Sequence, residues 1–312
     1  MVGIEANGLE KKFGSLTAVN GLSFQVDRGE VFGLLGPNGA GKTTTVRLLA
    51  CLISPTLGSA KVCGFNILEE PTKVREHVGL LTENPCLYER LTAYENMNFF
   101  AEAYGIAVET ERRNRIRKLL EFFDLWDEKS QRVGNFSKGM KQKLAIARSL
   151  IHRPEVLLLD EPTAALDPES ATEVRDLVRQ LSHTEKCAIL LSTHRMEDAE
   201  RLCNHVMIVD RGKRIAVDTP ESLREKLGPP ILEVILKANS FKISKSVRNI
   251  PTVKAFTQDG SERLLVTLDD PESATPEVVA AIVHAGGLIL SVRILRPSLE
   301  DAYLKLLRDV KH

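Results

Sequence analysis

The chain has 312 residues, which is long enough for one large domain or for one domain with a small appendage. Hydrophobic residues make up 43% of it and charged residues 27%, a balance typical of a globular protein with a sizeable core. Because 42 Lys and Arg residues are matched by 42 Asp and Glu residues, the charge gives no bulk attraction to nucleic acid or anionic lipid.

Short strand patterns fill the first part of the chain, from residue 4 to residue 35. The stretch "LSFQV" alternates Leu22, Phe24 and Val26 on one face, which is the period of a half-buried strand. The stretch "VFGLL" (31–35) is a continuous apolar run, which is suited to a strand buried on both faces. A glycine-rich stretch follows and leads into a predicted helix that ends near Leu52.

That glycine-rich stretch, "GPNGAGKT", fits the phosphate-loop pattern G-x-x-x-x-G-K-[ST]. Its glycines let backbone N–H groups curl around phosphates, Lys42 can reach the β- and γ-phosphates, and the Thr43 hydroxyl can bind Mg²⁺. The alternative is a glycine-rich turn with a chance lysine, which the flanking strand and helix disfavour. The predicted nucleotide contacts are Gly36, Pro37, Asn38, Gly39, Ala40, Gly41, Lys42, Thr43 and Thr44.

Three helices are predicted between residues 92 and 150. The first begins at Thr92, with Glu95 completing a capping box. The second, "TERRNRIRKLLEFF", sets an apolar stripe against an arginine-rich face. That face is predicted to be solvated, with contact to lipid headgroups or to a membrane-protein partner as the alternative. The third begins with "FSKGM", where Ser137 and Gly139 offer a hydroxyl and an unhindered N–H to an anion. Ser137 is also an ordinary N-cap, so this second anion site has a plain structural alternative.

The stretch "VLLLDEPTAALDP" brings Asp160 to the end of a buried strand, where its carboxylate can hold Mg²⁺ through water. Glu161 follows at once and can polarise an attacking water molecule. Two solvated acids at a strand end are the alternative. Strands then alternate with helices as far as "HVMIVD", which predicts a parallel sheet covered on both sides.

The pattern changes at Gly228-Pro229-Pro230, which predicts a first domain over 1–228 and a second over 229–312. The second domain has the order β-α-β-β-α-β of a small ferredoxin-like α+β unit. Its predicted elements are strand 231–237, helix 242–248, strand 252–257, strand 263–268, helix 275–285 and strand 288–295.

The stretches "GPNGAGKTTT", "FSKGMKQKLAIARSL", "LLLDEPTAALDP" and "STH" occur in the order and spacing of ATP-binding-cassette (ABC) ATPases. The resemblance covers about residues 2–228. It implies an α/β P-loop NTPase fold with antiparallel β and helical subdomains, ahead of the small α+β domain. The cofactors that it implies are ATP and Mg²⁺.

The resemblance also implies roles for residues that their local pattern leaves open. Phe13 would stack on adenine, and His194 would sense the γ-phosphate and the attacking water. Each ATP would lie between two chains related by a twofold axis. The residues that would contact the ATP held by the partner chain are Ser137, Lys138, Gly139, Met140 and Asp167.

Three positions depart from the usual family pattern. Lys138 stands where glycine is more usual, Met140 where glutamine is common, and Glu83 where a loop usually carries glutamine. The Glu83 carboxylate can still coordinate Mg²⁺, so it is predicted as a metal ligand and a catalytic residue. Drug- and antibiotic-resistance exporters often show the same variants, and "RPSLEDAYLKL" (296–306) resembles the end of ATPases that serve separately encoded export permeases.

The resulting interpretation is an ATP-hydrolysing subunit of an exporter that pairs with a second, identical subunit and with a separate membrane permease. The chain has five scattered cysteines, no signal peptide and no apolar run of ~20 residues. It is therefore expected to be a peripheral protein at the cytoplasmic face of the cell membrane, with no transmembrane segment. Two rivals stay open: a non-transport ABC ATPase acting on ribosomes or nucleic acid, and an importer subunit. No nucleic-acid partner is expected.

Overall fold

The computed structural model describes residues 1–164, 166–237, 241–260, 262–268 and 270–309. The described chain divides into two compact units, Met1–Pro220 and Glu221–Asp309. The domain boundary expected from the Gly-Pro-Pro sequence lies eight residues beyond this division, and the predicted second domain ends in residues 310–312, which are outside the described residues.

The first unit contains two sheets, an antiparallel one and a largely parallel one. Their strands are β1 (Val2–Phe13), β2 (Leu16–Asp27), β3 (Val31–Leu35), β4 (Leu57–Val62), β5 (Phe65–Asn66), β6 (Val78–Leu81), β7 (Val156–Asp160), β8 (Ala188–Thr193), β9 (His205–Asp210) and β10 (Lys213–Asp218). The antiparallel sheet has the order β2-β1-β4-β5, and the other has the order β10-β9-β3-β8-β7-β6.

The second of these sheets determines where the site forms. Strands β9, β3, β8, β7 and β6 run parallel, and only β10 pairs antiparallel, at one edge. β3, β7 and β8 are buried along their whole length, which explains their continuous apolar sequences. Their carboxyl ends meet at one edge of the sheet, and ligands bind there in open α/β sheets.

The helices of the first unit are α1 (Lys42–Leu49), α2 (Pro71–His77), α3 (Ala93–Ala103), α4 (Glu109–Phe122), α5 (Lys138–Ser149), α6 (Pro168–Glu185) and α7 (Met196–Leu202). The predicted capping box of α3 is confirmed, because Thr92 accepts from the Glu95 N–H and the Glu95 carboxylate accepts from Thr92 N–H. α3, α4 and α5 pack together through apolar residues such as Met97, Ile116 and Leu144, which are fully buried.

Some predictions for the first unit differ from the structure. The strands β1 and β2 are 12 residues each rather than short, because bulges let them follow each other over their whole length. Helix α1 ends at Leu49 rather than near Leu52, and Cys51 takes a left-handed φ of 54°. The arginine-rich face of α4 is only partly solvated, since the Arg115 side chain is 14% exposed.

The second unit confirms the ferredoxin-like arrangement. After α8 (Pro220–Glu225), its elements are β11 (Ile231–Leu236), α9 (Phe241–Arg248), β12 (Val253–Asp259), β13 (Arg263–Leu268), α10 (Pro271–His284), β14 (Ile289–Leu295) and α11 (Leu299–Asp309). The strands pair antiparallel in the order β12-β13-β11-β14. Val234, Val266 and Val278 are fully buried in its core.

Within the described part of the chain, no helix combines the length and the apolar character that crossing a bilayer demands.

Candidate nucleotide-binding site

The phosphate loop joins the end of β3 to the start of α1, and close backbone contacts require glycine at two of its positions. A Cβ atom on Gly36 would lie 2.3 Å from the Val209 carbonyl oxygen. Gly41 has a φ of 98°, and a Cβ there would lie 2.2 Å from the Ala18 carbonyl oxygen. Only glycine fits at either position. No side chain caps the α1 N-terminus, so its backbone N–H groups are available to phosphate oxygens.

Lys42 lies at the mouth of this loop and is 6% exposed. Its Nζ donates to the carbonyl oxygens of Gly36 at 2.8 Å and Pro37 at 3.3 Å, and lies 3.7 Å from Glu161 Oε1. Burial lowers the pKa of Lys42, and the carboxylates of Glu161 and Asp160 oppose that effect. The lysine therefore faces two buried acids whose combined charge exceeds its own, which favours a further cation beside it.

Asp160 would provide one side of such a cation site. It is 1% exposed, and its Oδ1 accepts from Ser192 Oγ at 2.7 Å. Its Oδ2 is buried without a hydrogen-bond partner among the described residues. A buried carboxylate oxygen in this state is costly unless something binds it. Mg²⁺ fits, since it takes oxygen ligands and commonly uses one or two carboxylates together with substrate phosphates.

Glu161 is held in place by its backbone and by β8. Its φ is 52°, a left-handed value rare outside glycine, and its N–H donates to the Ser192 carbonyl at 2.8 Å. Its Oε1 accepts from His194 Nδ1 at 2.8 Å, and its Oε2 accepts from Thr193 Oγ1 at 3.3 Å. Strained backbone of this kind clusters at functional sites. The carboxylate is thus fixed between Lys42 and His194, where it can orient or deprotonate water.

Lys42, Glu161 and His194 line a cleft of about 650 Å³. Of the predicted nucleotide contacts, residues 38–44 and Phe13 line it together with Glu83, whereas Gly36, Pro37 and the buried Asp160 do not. Phe13 is 49% exposed and lies beneath Lys11 Nζ, which is 5.1 Å from the ring centroid. The lining residues that sequence reasoning missed are Leu16, Thr17, Ala18, Ala164 and Arg211.

Two of the missed residues have a recognisable position. Leu16 pairs with Phe13 across the β1–β2 hairpin and is 64% exposed, so the two form one apolar wall. Arg211 follows β9, whose carboxyl end lies beside that of β3, and it has a left-handed φ of 48°. The signal for Arg211 was its position directly after a predicted parallel strand.

The residues assigned to the partner's ATP do not line this cleft. Ser137 caps α5, and its Oγ accepts from the Met140 N–H at 3.2 Å. Asp167 caps α6 and accepts from the Ser170 N–H at 3.0 Å, a backbone hydrogen bond that lowers the Asp167 pKa. A Cβ on Gly139 would lie 2.7 Å from Ser170 Oγ. These residues form a second surface, around the start of α5, with structural roles of its own.

A buried hydrogen-bond network supports the segment after β7, and sequence reasoning missed it. Gln142 Nε2 donates to the Pro162 carbonyl at 2.8 Å, which ties α5 to that segment. The Thr163 hydroxyl donates to Asp198 Oδ2, and Arg175 Nη1 donates to Asp198 Oδ1 at 3.0 Å. The network therefore fixes the backbone that follows Glu161 between α5, α6 and α7.

Known proteins share both units. Residues 19–164 match a family described as ABC transporter, and residues 219–307 match one described as the C-terminal domain of DrrA1-3-like ATP-binding proteins. The chain is 36% identical over 307 residues to the daunorubicin resistance ATP-binding protein DrrA2 of Streptomyces coeruleorubidus, covering 97% of this chain and 94% of that protein. It is 32% identical over 305 residues to the linearmycin resistance ATP-binding protein LnrL of Bacillus subtilis, covering 97% of each.

Among solved structures, the fold resembles the dimeric ATP-binding cassette MJ0796 in a post-hydrolysis state bound to ADP and phosphate. The TM-score is 0.64 at 25% identity, and the match covers 69% of this chain and 98% of that one.

Proposed function

The chain belongs to the ATP-binding subunits of the ABC transporter family, and from this premise we propose that it hydrolyses ATP to drive export through a separate membrane permease. The observation that carries the proposal is the convergence of Lys42, Glu161 and His194 on one cleft at the carboxyl ends of β3, β7 and β8, with the buried carboxylate of Asp160 close enough to act on Lys42. Family membership alone does not show where the reacting groups lie, whereas the geometry of this cleft supports ATP hydrolysis in particular.

In the proposed reaction the triphosphate lies along the phosphate loop and Lys42 exchanges its carbonyl partners for phosphate oxygens. Glu161 orients a water molecule and takes its proton as the water oxygen attacks the γ-phosphorus. The bond between that phosphorus and the bridging oxygen breaks, which releases ADP and phosphate. His194 donates to Glu161 through Nδ1, so Nε2 of the neutral ring is left as an acceptor that can receive a hydrogen bond from the attacking water.

Mg²⁺ fits the same site, where it would neutralise charge that develops on the β- and γ-phosphates. Asp160 and Thr43 would hold it, with Glu83 at the edge of the cleft as a further oxygen donor. The described residues contain no ready-made cluster of three or more His, Cys, Asp or Glu side chains for a metal. The ion would therefore arrive with the nucleotide and complete its shell with phosphate oxygens and water.

We further propose that two identical chains enclose each ATP. Ser137, Lys138, Gly139, Met140 and Asp167 are the contacts assigned to the ATP of the partner chain. They lie apart from the cleft of their own chain, which suits a site completed by a second copy. The dimeric, ADP- and phosphate-bound state of the related cassette supports the same arrangement.

An exposed aromatic patch supports a permease partner. Tyr88 and Phe99 are each 47% exposed, and their rings lie 5.1 Å apart. Exposed apolar surface of this kind is typical of interaction sites. Tyr88 lies five residues beyond Glu83, which lines the cleft, so a partner on the patch would be linked to the nucleotide by a short segment.

The two relatives are named for resistance to daunorubicin and to linearmycin, and this supports export as the direction of transport. On this proposal the chain works as a peripheral protein at the cytoplasmic face of the membrane. The non-transport alternative, an ABC ATPase acting on ribosomes or nucleic acid, predicts co-purification with RNA or DNA instead.

The test combines an assay of ATP hydrolysis with the identification of the proteins that bind the chain. Purified chain is expected to hydrolyse ATP in the presence of Mg²⁺, and Lys42→Ala, which removes the cleft's lysine, is expected to abolish turnover while the protein stays folded. Tagged chain isolated from gently solubilised membranes is expected to bring down a polytopic membrane protein. Near-normal turnover by Lys42→Ala would overturn the catalytic assignment, and recovery with ribosomes or nucleic acid alone would overturn the transport assignment.

A further inference from the structure

A second pocket, of about 410 Å³, lies between α4 and the amino ends of β7 and β8. Its residues come from α4, from the turns that precede β3, β7 and β8, and from the end of α6. This places it at the opposite ends of the strands from the nucleotide cleft. Each of these strands is five or six residues long, so the two sites are roughly 15–20 Å apart at about 3.3 Å per residue. The pocket is therefore not part of the nucleotide site.

Positive charge dominates the lining of this basic pocket. Its five cations are Arg28, Arg115, Lys118, Arg153 and Lys186, against two acids, Glu155 and Glu185. One acid is already neutralised, because Glu155 contacts Arg28 and also lies 3.6 Å from His77 Nε2. The remaining cations therefore outnumber the remaining acid.

Arg115 is the most enclosed of these cations. It is 14% exposed, and it donates from Nη1 to the Ile151 carbonyl at 2.8 Å. Its nearest acid, Glu111, is 3.8 Å from Nη2 and itself 58% exposed, and its buried Nε has no hydrogen-bond partner within the described ranges. Burial and the nearby Arg153 lower the pKa of Arg115. Its charge is only partly compensated by the protein, which favours an anion beside it.

The rest of the wall is apolar. Leu119 and Phe122 from α4 face Leu150 and Leu181 across the pocket. A volume of this size is in the range of small-molecule sites, which are mostly apolar with a few charged groups that orient the ligand. An inorganic ion would leave this apolar surface uncovered, and an uncharged apolar molecule would leave the cations without a partner.

We propose that the basic pocket binds a small amphipathic anion, with its carboxylate or phosphate beside Arg115 and Arg153 and its hydrocarbon part against Leu119 and Phe122. Lys118 and Arg153 are exposed at the rim and complete the anion-binding end. The anion is the headgroup of a membrane lipid or the head of a free amphiphile, since both present the same chemistry. Because α4 and the turn that leads into the strand carrying Asp160 both contribute, the ligand links the helical part of the first unit to the start of that strand.

The test measures decanoate binding to the full chain by calorimetry, below the concentration at which decanoate forms micelles. Decanol and decyltrimethylammonium serve as probes with the same tail and a neutral or positive head. We expect one decanoate per chain and at least tenfold weaker binding of the other two. The double substitution Lys118→Glu with Arg153→Glu is expected to weaken decanoate binding by tenfold or more, and Arg115→Met likewise.

The matched control is Arg113→Glu, an exposed cation of the same helix that lies outside the pocket. It is expected to leave decanoate affinity within twofold of the parent, and all variants are expected to keep the parent affinity for ATP. The rim variant carries the test if Arg115→Met fails to fold. Equal binding of decanoate and decanol, or decanoate binding that the rim variant does not weaken, would overturn the proposal.

Vesicles identify the source of the anion. Flotation with phosphatidylglycerol vesicles, but not with phosphatidylcholine vesicles, and its loss in the rim variant would assign the pocket to a lipid headgroup. Decanoate binding without flotation would assign it to a free amphiphile. The proposal fails if decanoate binding does not depend on Lys118 and Arg153, whatever the vesicles show.

Discussion

Glu161 is the residue on which the proposed chemistry depends most directly. We expect Glu161→Gln to keep ATP binding while hydrolysis falls by several orders of magnitude, because the change keeps the shape and removes the charge that accepts the proton. Single-turnover hydrolysis and equilibrium binding of ATP separate the two effects. Glu169→Gln, at an exposed position of α6, is the control. Equal loss of binding and turnover would show that Glu161 acts on affinity instead.

Phe13 provides a separate residue-scale test, because it is 49% exposed at the edge of the cleft. We expect Phe13→Ala to weaken nucleotide binding by about 1–3 kcal/mol, the usual worth of stacking between a base and an aromatic ring. The loss should be similar for ATP and GTP, since every base has a stacking face. Fluorescence titration measures it, with Phe99→Ala as the control. Unchanged affinity would leave Phe13 as hairpin packing.

The residues of the phosphate loop could be predicted from sequence because the motif is local. Gly36, Gly41 and Lys42 act within a few residues of one another, so their spacing along the chain is their spacing in space. Asp198 could not be found this way, since its partners Thr163 and Arg175 are 35 and 23 residues away in sequence. Arg211 was missed for the same reason. Its distance from the cleft depends on which strands pair.

At the scale of elements, α6 and α7 are joined by the buried pair of Arg175 and Asp198, which are 5% and 0% exposed. We expect Asp198→Ala to lower the free energy of unfolding by about 3–5 kcal/mol, because it leaves a buried arginine without its partner. Urea unfolding measures this, and Asp176→Ala, which breaks an exposed ion pair on α6, should cost under about 1 kcal/mol.

A double substitution distinguishes a charge effect from simple packing. Asp198→Leu together with Arg175→Met should unfold at a free energy closer to the parent than Asp198→Ala does, since no charge is then left buried and alone. If the double variant is as unstable as the sum of the single ones, the pair is not coupled.

A second contact between elements makes stability depend on pH. The His152 ring, just after α5, stacks on Tyr104 at the end of α3, with centroids 3.8 Å apart. Its Nε2 donates to the Val78 carbonyl at 3.1 Å, and its buried Nδ1 has no partner in the described part of the chain. Burial lowers the His152 pKa from 6.5 to about 4, because a proton on Nδ1 would find no acceptor.

The sign of the pH effect follows from that difference. Between pH 6.5 and about 4 the unfolded chain binds a proton at His152 that the folded chain does not, so stability falls as the pH falls through this window. We expect His152→Phe, which keeps a ring against Tyr104, to remove about 1–2 kcal/mol of the loss between pH 7 and pH 5. Urea unfolding of both proteins at both pH values measures it. The same loss in both would exclude His152 as the cause.

Elements with a strong local signal were predictable, and those that depend on pairing partners were not. The capping box starts α3 at the predicted residue, since both of its hydrogen bonds form within three residues. Strands β4, β5, β6 and β10 were not predicted. β4, β5 and β10 are short and partly exposed, and β6 has only four residues. A strand of that kind is stabilised mainly by its neighbours in the sheet, which the local sequence does not reveal.

At the scale of the molecule, the order of elements predicted the ferredoxin-like second unit, because β-α-β-β-α-β with short connections leaves few ways to form one sheet. The first unit needed the family resemblance as well. Its antiparallel sheet and its helical insert between β6 and β7 have no such regular alternation. The boundary after residue 228 stays a prediction, drawn from Gly228 and two prolines.

The distribution of the proposed ATP contacts over two surfaces of one chain leads to a test of assembly. Glu161→Gln is expected to bind ATP and shift from monomer to dimer in size-exclusion chromatography, because hydrolysis no longer reopens the pair. Ser137→Arg is expected to bind ATP in its own phosphate loop but to remain a monomer, since on the proposed arrangement the bulky side chain would face the partner's nucleotide. Ser137→Asn keeps the α5 cap and serves as its control.

Mixing Glu161→Gln and Ser137→Arg then tests whether the site is shared. In a mixed dimer one ATP site carries both defects, while the other combines an intact Glu161 from one chain with an intact Ser137 from the other. A 1:1 mixture of two inactive proteins should therefore regain hydrolysis, up to about a quarter of the parent rate if half of the dimers are mixed and one intact site suffices. A mixture that forms mixed dimers with ATP but stays inactive would show that each chain hydrolyses with residues of its own, and Ser137 would then be only the cap of α5.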